Sequence, residues 1–207
     1  MTILSDWEIT PEQLTELLKE NPSLRGMLLG YVAELKLKEL VTSLPGVSYT
    51  MKFDDHDRKK KGDLYIIYQG KAFDLESKSL QSNMIKWDEQ KKRWMGKAQV
   101  DASDRRTISL PDGSTLTTTL LLRGEFDILA VNCYAFEQRW RFVFARNSDL
   151  PSSTYASYTE YQQKFLVASL IPVTWPPEPP FYANLNGLLD DMIANGEGTY
   201  PANLSQE

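Results

Sequence analysis

Residues 62–79, GDLYIIYQGKAFDLESKS in one-letter code, constrain the fold more than any other stretch. Apolar and aromatic residues from Leu64 to Tyr68 and an alternating run over residues 72–79 flank Gln69-Gly70, a pair suited to a tight turn. Side chains on a strand alternate faces. A strand over residues 72–79 therefore turns Phe73, Leu75 and Ser77 one way and Asp74, Glu76 and Lys78 the other. The hairpin would bring Asp63 alongside Glu76 and Lys78 from the neighbouring strand.

Two carboxylates and an ammonium gathered in this way suit a hard cation and an activated water. Mg²⁺ takes oxygen ligands, keeps several waters, and is commonly held by one or two carboxylates together with substrate phosphate. A lysine beside a metal-bound water can orient the nucleophile or help to deprotonate it. The competing reading is an exposed strand face with a Glu-Lys pair, because Glu-x-Lys alone is a common pattern.

The surroundings favour the first reading. Residues 24–44 predict an amphipathic helix with one broad apolar side formed by Leu28, Leu29, Val32, Leu35, Leu37, Leu40 and Val41, stopped by Pro45-Gly46. Glu34 lies within it. A short strand over residues 47–53, a charged loop over 54–61, and the two strands of the hairpin follow. In Asp63, Glu76-Ser77-Lys78 and this element order, residues 24–146 resemble the PD-(D/E)xK nuclease superfamily, particularly type II restriction endonucleases. The later segment from Gly124 to Asn132 looks like the strand after the catalytic core in such enzymes. Gly62 stands where the family often has proline, which leaves Asp55 and Asp57 as alternative acids.

The resemblance implies a restriction-endonuclease-like α/β core, with a mixed central β-sheet flanked by helices, an added β-hairpin and a C-terminal helical tail. It implies Mg²⁺, replaceable by Mn²⁺, held by Asp63, Glu76 and the backbone carbonyl of Ser77, with Lys78 assisting the water and Glu34 joining the catalytic group. The implied reaction is hydrolysis of phosphodiester bonds in double-stranded DNA. Restriction comes first, with a Holliday-junction or repair endonuclease of the same fold, or a non-catalytic DNA-binding module, as alternatives. Restriction enzymes commonly act as dimers, so a homodimer is an expectation. An exonuclease of the RecB type is disfavoured, because the run starting at Gln90 ends in Trp94 where that branch has tyrosine.

Charge distribution bears on the DNA expectation. The formal net charge is −5, but residues 51–106 hold 14 Lys and Arg against 10 acids, a balance of +4 that leaves −9 for the remainder. The cationic part therefore contains the candidate site. Arg58, Lys59, Lys60 and Lys61 precede Asp63, while Lys86, Lys91, Lys92, Arg93 and Lys97 follow Lys78 with Trp87 and Trp94 among them. Basic residues position phosphates and make affinity salt-dependent. Aromatic rings stack on bases or simply pack. Gln99, Asp101, Ser103, Arg105 and Arg106 are further candidates for contacts to DNA.

Other chemistries are disfavoured by count and spacing. His56 is the only histidine and sits in a charged loop, without a Gly-x-Ser-x-Gly elbow or partners for zinc. Phosphate-binding loops of the Gly-x-x-x-x-Gly-Lys and Gly-x-Gly-x-x-Gly types are missing from the sequence. The single cysteine, Cys133, lies in an apolar run and reads as a buried structural thiol. A chain of 207 residues with 42% hydrophobic content suits one nuclease domain with a C-terminal extension over 148–207. With no apolar run long enough to span a bilayer and no leader-like start, a cytoplasmic protein is expected.

The remaining elements are predicted coarsely. Thr10 caps a short helix over residues 11–19. Residues 82–94 predict a helix with Trp87 and Trp94 on its packing stripe, and 99–106 an irregular segment. Hairpins are expected about Pro111-Asp112-Gly113-Ser114 and between strands at 126–136 and 140–145. Helices over 155–170 and 185–194 flank an extended proline-rich linker at 173–180.

Overall fold

The computed structural model describes residues 2–52 and 62–201. Three helices open the chain: α1 (Ile3–Asp6), α2 (Pro11–Glu20) and α3 (Pro22–Thr42). Thr10 and Gln13 close a capping box at the start of α2, with Pro11 at its first position. Then come β1 (Val47–Lys52), β2 (Leu64–Tyr68) and β3 (Lys71–Ser79). Gln69 and Gly70 take φ of 47° and 77°, the left-handed pair that a two-residue hairpin turn between β2 and β3 requires.

Strands β8 (Ile128–Asn132) and β9 (Phe142–Arg146) complete a five-stranded sheet in the order β1-β2-β3-β8-β9. Only β3 and β8 run parallel; the other neighbours are antiparallel. All five residues of β8 and all five of β9 are buried, as expected for strands covered on both faces. One face, carrying Phe73, Leu75, Ile128, Ala130 and Phe144, packs against Leu37 and Val41 of α3. Leu185, Leu188, Leu189 and Met192 of α6 (Leu185–Ala194) complete that layer. Each such side chain contributes on the order of 2 kcal/mol of transfer free energy.

The other face carries Leu129, Val131, Val143 and Ala145. It is covered by a second, three-stranded sheet in the order β10-β5-β4, built from β4 (Lys86–Asp88), β5 (Arg93–Gln99) and β10 (Leu170–Trp175). A separate hairpin of β6 (Asp101–Ser109) and β7 (Thr115–Leu120) turns at Asp112 and Gly113, with Ser114 bonded back to Asp112. The fold is thus mixed α/β, with a mixed central sheet flanked by helices.

Five expectations are corrected. In place of a helix over 82–94 stand a 3-10 turn at Ser82–Met84 and the β4–β5 hairpin, in which Trp87 and Trp94 are direct cross-strand partners. Their rings meet edge to face at 5.3 Å, so a seven-residue spacing came from pairing across a turn. The irregular segment at 99–106 belongs mostly to β6. The helix over 155–170 contracts to α5 (Glu160–Gln163), because Leu166 and Val167 are drawn into the core by bridges to Leu122 and Ser152. The proline-rich stretch begins as β10, an edge strand where Pro172 costs no ladder bond to a further neighbour. Between β8 and β9 the expected hairpin holds the short helix α4 (Tyr134–Glu137).

Candidate active site

The site is built on the end of β3. Leu75 and Phe73 face the helix-covered core, and alternation turns Glu76 and Lys78 to the opposite face, level with Leu129 and Val131 of β8. Asp63 continues the β2–β3 ladder by one rung: its N–H donates to the Leu75 carbonyl at 2.8 Å. Its Oδ2 then accepts the Ser77 N–H at 2.7 Å, where the β2 backbone no longer supplies an acceptor. Gly62 permits this. It holds φ +80°, and a Cβ there would stand 2.9 Å from the Leu75 carbonyl oxygen.

Lys78 Nζ lies 2.6 Å from Glu76 Oε1, with the two side chains 19% and 11% exposed. The pair is recessed yet keeps some exposure to solvent. Burial pushes the Glu76 carboxyl up, to about 7, against the opposing pull of Lys78; the negative charges of Asp63 and Glu125 push the same way as burial. For Lys78, desolvation favours the neutral amine, but the charges of Glu76, Asp63 and Asp101 outweigh it and hold the ammonium above its ordinary range. Lys78 is therefore a fixed cation, suited to orienting a water through hydrogen bonds rather than to taking its proton.

Structure brings two more groups to this recess. Glu125 is buried, accepts the Leu122 N–H at 2.8 Å, and is gripped through both oxygens by the Arg106 guanidinium. Asp101, at the start of β6, has one buried oxygen without a hydrogen-bond partner, and its charge is felt by Lys78. Neither was a catalytic or metal-ligating candidate from sequence; Asp101 entered only among the DNA-contact candidates. Asp101 was hidden in a segment read as irregular, and the only signal at Glu125 was an acid immediately before an apolar strand.

Glu34 points elsewhere, pairing with Lys52 at 2.7 Å. It shares with Asp63 the lining of a cavity of about 220 Å³, together with Tyr31, Leu35 and Lys38. Glu76 and Lys78 are not among the lining residues. Asp63 thus touches both spaces, while Glu34 borders the cavity.

The DNA-contact candidates divide by environment. Lys86 and Lys97 are exposed on β4 and β5; Lys91 and Lys92 lie in the turn between them, Lys92 pairing with Glu89 at 2.9 Å. Gln99, Ser103 and Arg105 are exposed on β5 and β6. Arg93 is buried and ion-paired to Glu178, and Arg106 is engaged by Glu125. Arg58, Lys59, Lys60 and Lys61, with His56, Asp55 and Asp57, lie outside the described residues. Cys133 is fully buried, and burial pushes its thiol up to about 12, consistent with an inert packing role.

Among the described residues, no group of three or more His, Cys, Asp or Glu side chains is arranged to hold a metal ion. Two carboxylates beside a backbone carbonyl are nevertheless a donor set of the type Mg²⁺ accepts when waters and phosphate complete its shell. Burial first, and the charge of Asp63 after it, raise Glu76, and a cation there would offset both. Among the described residues no helix is long and apolar enough to cross a membrane. No family model and no curated protein matches this sequence. A bacterial homing endonuclease of solved structure is similar over 83% of this chain and 97% of its own, with 15% identity and a TM-score of 0.43, a likeness too distant to assign a family or a reaction.

Proposed function

We propose that this chain is a Mg²⁺-dependent DNA endonuclease of the PD-(D/E)xK type, acting in restriction. The observation that carries the proposal is the meeting of Asp63 with the Glu76-Ser77-Lys78 strand: Asp63 Oδ2 on the Ser77 N–H at 2.7 Å, and Lys78 on Glu76 at 2.6 Å. Asp63, Glu76 and the Ser77 carbonyl would hold the cation, which when bound polarises the scissile phosphate and acidifies a coordinated water. Lys78, kept protonated by the acids around it, orients the attacking water and offsets charge on the phosphate. Lys97, Arg105 and the exposed lysines of the β4–β5 turn contact flanking phosphates.

Incubation of the purified protein with unmethylated genomic DNA and Mg²⁺, followed by sequencing of the ends, tests this directly. Recurrent cut sites, abolished by EDTA and by Glu76→Ala or Lys78→Ala with DNA binding retained, are expected. Cuts that follow DNA structure rather than sequence would transfer the assignment to junction resolution or repair. Binding without cleavage under all metal conditions would leave a DNA-binding module.

A further inference from the structure

Lys78 lies in the field of three nearby carboxylates, Glu76, Asp63 and Asp101, and is ion-paired to Glu76. That pairing takes up Glu76 Oε1, on the carboxylate that a cation at the candidate site would need. Asp63 is itself tied to the Ser77 N–H. Asp101 is half-buried, and its two oxygens differ. Gln99 donates to Oδ2 at 3.3 Å, and Gln81 in turn donates to Gln99 Oε1. Oδ1 is buried and has no hydrogen-bond partner. A dry carboxylate oxygen is destabilising unless a donor reaches it.

The topology brings that oxygen toward Lys78. Leu80, one residue past β3, bridges Ala98 of β5 in the antiparallel sense, and the Gln81 N–H donates to the Lys97 carbonyl at 2.8 Å. Antiparallel pairing carries the chain from Ala98 toward Asp101 back along the line from Leu80 to Ser77. Asp101 therefore follows the strand face that Leu80 shares with Lys78 and Glu76. Lys78 is also the cation whose charge acts on Asp101.

We propose that Asp101 is a positioning residue, the acceptor that receives Lys78 Nζ when Glu76 engages a divalent cation. The inference rests on the nuclease reading. A lysine carries three donors on a flexible four-carbon stem, so Nζ can leave Glu76 for Asp101 and keep N–H groups for water and phosphate. Without the second acceptor the ammonium stays on Glu76 and competes with the cation for it. Asp101 thus acts through Lys78, and its influence on the cation vanishes when the ammonium is absent.

Calorimetric titration of the full chain with Mg²⁺, without DNA, tests this. Asp101→Asn keeps the side-chain shape, removes the charge and should weaken Mg²⁺ binding about tenfold. In a Lys78→Met background the same substitution should change the affinity by less than about twofold. A loss that persists there would make Asp101 a ligand of the ion and overturn the proposal. Should Asp101→Asn fail to fold, crystals of the unsubstituted protein soaked in Mg²⁺ decide the matter. Nζ is expected within about 3 Å of Asp101 Oδ1, and Nζ still on Glu76 overturns the proposal. Equal Mg²⁺ affinity with and without the Asp101 carboxylate also overturns it, while leaving the nuclease reading in place. An unsubstituted chain that binds no Mg²⁺ overturns that reading together with this one.

Discussion

Asp74 and Glu76 stand two residues apart on one face of β3, and both carboxyls are pushed upward by burial, Asp74 to about 6. Their companions differ. Asp74 faces another acid, Asp127, whose Oδ2 accepts the Asp74 N–H at 2.8 Å, and one buried oxygen of Asp74 has no hydrogen-bond partner. Glu76 faces an ammonium and, through Asp63, a second carboxylate tied to the neighbouring peptide. The first arrangement favours a proton; the second favours a cation. Burial alone thus does not distinguish a structural carboxyl from a chemical one; the charge of its nearest partner does.

Activity separates the two carboxyls most strongly. Glu76→Gln and Asp74→Asn remove one charge each from the same strand face. The first should cut DNA cleavage by about 10³-fold and the second by less than about threefold, measured as single-turnover rates. Equal losses would erase the distinction.

Stability separates the pair next. Lys78→Met leaves Glu76 buried without its counterion and should cost about 2–3 kcal/mol in urea unfolding at pH 8. With Lys78 gone the Glu76 carboxyl is raised further. The folded state then favours the protonated acid, so stability is full below the ordinary glutamate pKa and is lost as pH rises through the folded value. The deficit should shrink by pH 5.

Gly62→Ala sharpens the geometry. Its Cβ would press on the Leu75 carbonyl that aligns Asp63. A stability loss of about 1–2 kcal/mol with a tenfold or larger fall in cleavage is expected, and retained activity would show that Asp63 need not sit where it does.

The smallest effect belongs to Asp74→Asn. Because Asp74 is raised to about 6, its contribution is full below the ordinary aspartate range and is lost as pH climbs through 6. Replacing it should raise stability at pH 7.5 by on the order of 1 kcal/mol, discounted for partial solvent screening. The gain should vanish near pH 4 in parallel thermal melts.

Local chemistry made much of this legible in the sequence. The left-handed turn at Gln69-Gly70, the Thr10 capping box and the alternation along β3 follow from a few adjacent residues, and so does the presence of Asp63 opposite Glu76. What could not be read depends on distant contacts. Trp87 and Trp94 fit a helical stripe as well as a cross-strand pair, and it is pairing with β4 and with the distant β10 that makes β5 a strand. The apolar residues of α3 gave no sign of which would meet the sheet. Arg106 reads as a free cation until the fold sets Glu125 against it.

The parallel join of β3 to β8 has a kinetic corollary. Strand β3 ends at residue 79 and its partner begins at residue 128, with two smaller sheet elements emitted between them. The strand bearing Glu76 and Lys78 therefore gains its inner neighbour only after a long loop has closed, a step whose entropy is spent before its contacts form. Such a chain should refold slowly, on the scale of milliseconds to seconds, and fragments ending before residue 128 should leave an unpaired strand edge exposed to aggregation.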